Sequence, residues 1–141
     1  MSLPEPADLT SLVLRTDFAD ERLWETVRDA LDAVDEYPHA TCVAERRFAD
    51  ARVADLVAWD AAAPEGERVS YVFLADAAAL ADPEHPLLAV DLAYEPGRTF
   101  RVPVRWFPDV SANLSLANMD FAEFADTADE GDGTYRGFGE D

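Results

Sequence analysis

Asp17, Asp91, Asn113 and Asp120 are the residues whose carboxylates and amides a small catalytic pocket in this chain would use. Such a pocket requires all four to converge on one concavity, because acid–base work needs groups within hydrogen-bond reach of a common substrate. Asp17, with Arg15 beside it, follows an apolar run, and open α/β sheets bind ligands at the carboxyl ends of their strands. Asp17 and Asp20 also stand where helix N-caps belong, which is the ordinary use of aspartate there. Nucleophiles are poorly served: no G-x-S-x-G elbow surrounds Ser70, Ser111 or Ser115. His39 and Cys42 lie three residues apart, and on an extended strand that spacing points them to opposite faces. A lone cysteine in an apolar run is ordinarily a core residue.

Metal and phosphate patterns fare no better. His39 and His85 each sit beside a proline and form no zinc framework. Placing Gly131 at the invariant glycine of a calcium loop puts Asp126 first but Ala128 third and Gly137 last; placing Gly133 there puts Ala128 first. Both registers fail the ligand pattern. The run from Gly131 to Gly137 nearly mimics G-x-G-x-x-G, but its third glycine is one place late and it follows a helical pattern rather than a strand. No metal and no cofactor is expected.

The most unusual stretch is 106–120, where Asn113, Ser115, Asn118 and Asp120 interleave with apolar residues beside Trp106. Amides and hydroxyls in such a segment either brace its own backbone, as a buried loop requires, or read a partner. Together with Arg98 and Arg101 of a predicted hairpin, and with Asp17, these residues are the candidate binding surface.

The elements that must position them follow from periodicity. Leu12–Leu14 begins a strand, and Leu23, Trp24, Val27, Leu31 and Val34 follow the helical period until Pro38. Residues 40–43 read as a weak strand and 53–59 as a short helix ending before Pro64. Residues 69–74 are apolar on both faces, as a central strand is. Asp76 can cap one helical turn. Strands at 87–94 and 99–104 flank Glu95-Pro96-Gly97-Arg98, which suits a type II turn, and Pro103 places the second strand at a sheet edge. A helix opens near Asp120, with Glu123 as capping-box partner. The expected architecture is a single-domain α/β fold: a mixed sheet with a parallel core and a C-terminal β-hairpin, flanked by about three helices. Residues 1–10 read as a loose leader, 11–129 as the acidic domain, and 130–141 as an acidic Gly-rich tail, partly disordered, in which Tyr135 and Phe138 dock.

Composition narrows the partners. Eleven basic residues, all arginine, face thirty acids, for a formal charge of −19. That field repels nucleic-acid phosphates and anionic membranes. It keeps a concentrated protein in solution or steers it to a basic partner. Cys42 is the sole cysteine, the first ten residues lack a signal-peptide pattern, and no apolar run approaches a bilayer span, which together point to the cytoplasm.

Asp82-Pro83-Glu84-His85-Pro86, Val90-Asp91-Leu92, the stretch from Glu95 to Val102, the stretch from Asn113 to Phe121 and Leu14-Arg15-Thr16-Asp17-Phe18 resemble a group of short uncharacterised actinobacterial proteins, classed as a domain of unknown function. The resemblance covers most of the chain, with 40–57 more divergent. It implies a bacterial, cytosolic, stand-alone domain and carries over no catalytic residue. The function expected is a non-catalytic protein-interaction module of inhibitor, immunity or accessory type. A carboxylate/amide enzyme or accessory subunit, and a small-molecule binder, are the alternatives.

Overall fold

Cys42, Val13, Phe73, Ala89 and Phe100 stand in register across five adjacent strands, so one row of side chains crosses the whole sheet. The computed structural model describes residues 3–137. Its strands are β1 (Ser11–Arg15), β2 (Ala40–Val43), β3 (Tyr71–Ala75), β4 (Pro86–Asp91) and β5 (Thr99–Pro103), in the order β2-β1-β3-β4-β5. β1 runs parallel to both β2 and β3, while β4 and β5 add antiparallel pairs. The mixed sheet with a parallel core and a following hairpin is therefore as expected.

Period-two alternation sends the strands' side chains to two separate cores. On one face Val13, Phe73, Ala89, Phe100 and Val102 meet α1 (Glu21–Ala33), α3 (Ala77–Ala81), α4 (Phe107–Ser115) and α5 (Phe121–Asp129). On the other, Leu12, Leu14, Val72, Leu74 and Val90 meet α2 (Val53–Ala62) and Phe48 of a short 3₁₀ turn. β1 is buried along its whole length, as a strand with helices on both faces must be. α1 forms because Trp24, Val27 and Leu31 recur at helical spacing, and Asp20 caps it by accepting from the backbone N–H groups of Arg22 and Leu23 at 2.9 and 3.3 Å. Asp20→Ala is expected to cost about 1 kcal/mol in urea unfolding, since it strands those donors.

The turn after β4 has Gly97 at φ +96° and the Arg98 N–H donating to Glu95 O, the type II geometry that Pro96-Gly97 demands. Residues 107–115, read as a buried loop, are instead α4. Phe107, Val110 and Leu114 carry a helical period that the Asn and Ser residues masked, and Pro108 sits in the first turn, where a missing N–H costs nothing. Cys42 is exposed rather than core, because β2 is an edge strand. The residues before β1, expected to be loose, place Leu3 in the second core.

β5 would be the other free edge. The Arg101 N–H donates to Gly133 O at 2.9 Å and the Tyr135 N–H donates to Arg101 O at 2.7 Å, so the tail lies along it. Tyr135 is buried among Phe100, Phe124 and Trp106. Phe138, the other expected anchor, lies outside the described residues.

Candidate binding cleft

The parallel strands begin, and β4 ends, at one end of the sheet, where Ser11, Tyr71 and Asp91 lie close together. A cleft of about 420 Å³ opens there. Three chain segments distant in sequence wall it: residues 5–10 before β1, the loop after Asp91, and the turn between α4 and α5. Each is held by a different local device.

The first segment is pinned by Thr10, whose Oγ1 donates to Ala7 O at 2.7 Å and contacts Thr41 Oγ1 at 2.6 Å. This turn forces Leu9 to φ +62° and leaves its side chain 64% exposed. The second hangs on Asp91. Its buried carboxylate accepts from the N–H groups of Ala93, Tyr94 and Glu95 at 2.9–3.3 Å, and the loop so shaped carries Tyr94 at 81% exposure. In the third, Asn113 O accepts from the N–H groups of Asn118 and Met119, while Ala117 takes φ +57°. A non-glycine residue in that region costs on the order of 1 kcal/mol and persists only where its surroundings over-determine it. Both such residues of the two walls line the cleft.

At the cleft's inner end runs a chain of hydroxyls. Ser111 Oγ donates to His39 O at 3.0 Å. A hydroxyl has one proton, so Ser11 must donate to Ser111 across 2.6 Å, and Tyr71 must donate to Ser11 across 2.9 Å. Burial pushes the Tyr71 phenol above its ordinary range. Tyr71, which lines the cleft, therefore retains only acceptor capacity at its oxygen. The charged residues around it are four carboxylates (Glu5, Asp8, Asp91 and Asp120) and one cation, Arg68. Arg68 is tied back to the end of α2, donating to Ala61 O and Ala63 O at 3.0 Å.

The candidate residues divide among several places. Ser115 and Asp120 line the cleft, and Asp120 also caps α5 with Glu123. Asn113 turns its amide back to Asp109 O at 2.8 Å, and Asn118 is exposed on the turn. Arg98 ties the hairpin to α5 through Asp126 and Asp129 and to its own turn through Glu95. Arg101 grips Asp76 with two hydrogen bonds at 2.8 and 2.9 Å. Trp106 packs on Tyr135. Asp17 lies past the other end of β1, accepting from Ala19 N–H, with Arg15 folded onto its carbonyl and onto Glu21. The helices leaving β1 and β3 share one face, so those strand ends are not a topological switch point. Of Asp17, Asp91, Asn113 and Asp120, the cleft unites only Asp91 and Asp120.

Leu9, Arg68, Tyr71 and Tyr94 were not among the sequence candidates. Tyr71 lies within a predicted central strand, Arg68 stands just before it, and neither carries a motif; Leu9 and Tyr94 reveal themselves only as apolar residues left outside. Elsewhere, Cys42 is exposed at the sheet edge but lies in a concavity beside Trp24 and Asp32 of α1, and burial first and Asp32 second push the thiol up to about 11, which makes it a poor nucleophile. His39 is held by Asp35 at 2.8 Å. Among the described residues no group of three His, Cys, Asp or Glu side chains is placed to hold a metal ion, and no helix is long and apolar enough to cross a membrane.

These features define a mixed α/β domain with a five-stranded sheet and an open cleft at the starting ends of its parallel strands. The chain belongs to the family described as Domain of unknown function (DUF6924), whose pattern matches residues 10–138. No curated protein matches it.

Proposed function

We propose that this chain is a non-catalytic protein-interaction module of inhibitor, immunity or accessory type, working in an actinobacterial cytoplasm and taking a basic partner at the cleft. The cleft's rim carries the reading: Leu9 and Tyr94 stand exposed on backbone that other residues constrain, a geometry that favours contact over packing. The charge distribution supports it. Five of the eleven arginines pair with acids among the described residues, so most carboxylates remain available to steer a cationic partner and to repel phosphate and lipid. Asp91, the buried acid of the cleft, is engaged in holding structure through three N–H groups.

Selection of a displayed random-peptide library against the intact protein tests this. Enriched peptides are expected, and the variant Leu9→Asn with Tyr94→Ser should reduce their binding about tenfold or more. Asparagine tolerates the left-handed backbone at position 9, so that variant removes apolar contact without removing the turn. Equal binding by the variant, or no enrichment, defeats the reading.

A volume of about 420 Å³ also falls within the size range of small-molecule pockets, which favours a metabolite binder as the second reading. A thermal-shift screen separates the two, because a pocket ligand raises apparent stability in proportion to its saturation.

A further inference from the structure

We infer that the occupant of the cleft is a cation on an apolar stem, an arginine or lysine side chain of the partner; this rests on the reading of the cleft as the interaction site. Three independent features select that chemistry. The hydroxyl chain commits the Tyr71 proton inward, because it terminates on the His39 carbonyl, and so offers the cleft a lone pair and no donor. A guanidinium or ammonium is donor only and matches it. Glu5, Asp8 and Asp120 add carboxylates around the opening. Those of Glu5 and Asp8 take part in no hydrogen bond or ion pair among the described residues, and both residues are exposed.

The third feature is apolar. Leu9, Tyr94 and Met119 line the same cleft, and a three- or four-carbon stem covers such surface while its charged head reaches polar groups. Tyr94 also offers a ring face to a cation. Arg68 is the one opposing charge. Two of its five N–H groups are bonded to carbonyls at the carboxyl end of α2, where the helix dipole is negative, and the carboxylates of Glu5, Asp8 and Asp120 outnumber it. An anionic occupant would meet Glu5, Asp8 and Asp120 and an acceptor-only phenol.

The test is a chemical-shift titration of the labelled full chain with four probes: N-acetyl-arginine amide, N-acetyl-lysine amide, its neutral isostere of arginine N-acetyl-citrulline amide, and N-acetyl-glutamate amide. The expected result is saturable shifts at Tyr71, Ser115 and Met119 with at least one cationic probe. Citrulline should bind about tenfold more weakly, the usual weight of a charge-assisted bond. Glu5→Gln with Asp8→Asn should weaken the cationic probe about threefold at low salt, with loss of that difference at high salt. Tyr71→Phe should weaken it about tenfold while leaving Ser11 bonded to Ser111. If the Phe variant loses its dispersed spectrum, the double amide variant alone decides. Equal binding of citrulline, or tighter binding of glutamate, overturns the cation inference but leaves an occupied cleft standing. Cationic shifts confined to acidic surface away from the cleft, or no shift with any probe, also overturn it; peptide selection then judges the cleft reading separately.

Discussion

Tyr135→Ala is expected to destabilise the protein by about 3–5 kcal/mol, the cost of deleting a fully buried aromatic side chain. The residue lies only six positions from the last residue of α5 and within a glycine-rich acidic segment, yet it is 1% exposed. Its ring meets Phe124 edge to face at 5.0 Å, and Phe100 and Trp106 at 6.5 and 6.2 Å. Its N–H completes a bond on the outer edge of β5. Truncation to alanine therefore empties a core position and loosens the strap that covers that edge. Tyr135→Phe keeps the ring and should cost about 1 kcal/mol, the net worth of an average hydrogen bond. A urea titration of the two variants separates ring from hydroxyl. Alkaline pH offers a second reading of the same site. Burial first, and the Asp109 carboxylate second, push the phenol from about 10 up to about 12. Between those values the folded protein keeps a proton that the unfolded chain releases, so stability falls as pH rises through the interval. Tyr71, also shifted upward, contributes to the same decline. Tyr135→Phe should flatten the Tyr135 part of it, whereas an unchanged slope would show that the phenol is not held protonated.

Asp91→Ala is expected to cost about 2–4 kcal/mol, because three backbone N–H groups lose a shared charged acceptor and at least part of that loss is in buried surroundings. Asp91 as a whole is 2% exposed. Asp91→Asn retains one carbonyl oxygen and should fall between the two. The consequence reaches past stability: the loop that presents Tyr94 loses its anchor, so any peptide selected on the cleft should bind the alanine variant less tightly even under conditions where it stays folded. Amide hydrogen exchange at residues 93–95 reports this directly. Protection equal to that of the unaltered protein would sink the assignment of Asp91 as the loop's anchor.

How much was legible in the sequence depended on the range of the interactions involved. Local signals held: Asp20 and Asp76 cap helices, Asp120 with Glu123 forms a capping box, and Pro96-Gly97 makes its turn. These depend on backbone groups within four residues. α4 was hidden because its polar positions, Asn113 and Ser115, imitate loop composition, although Phe107, Val110 and Leu114 keep the period. Cys42 misled in the opposite sense, since an apolar neighbourhood does not reveal whether a strand lies at the edge. The candidate site was legible only in fragments. Ser115 and Asp120 reach the cleft, while Arg98, Arg101 and Trp106 are consumed by structural contacts.

Period and punctuation alone determined the order of the strands and of every α-helix but α4, and composition determined the charge that any partner must meet. Each is a property of short windows or of sums, so no folding is needed to know it. Tertiary structure decided that residues 5–10, 94 and 115–120 share one cleft, and that the Tyr71 proton points inward. The second follows from bonds joining residues 60, 72 and 100 positions apart. Which hydroxyl donates is settled by the single carbonyl at the chain's far end, and only the folded sheet brings that carbonyl within reach.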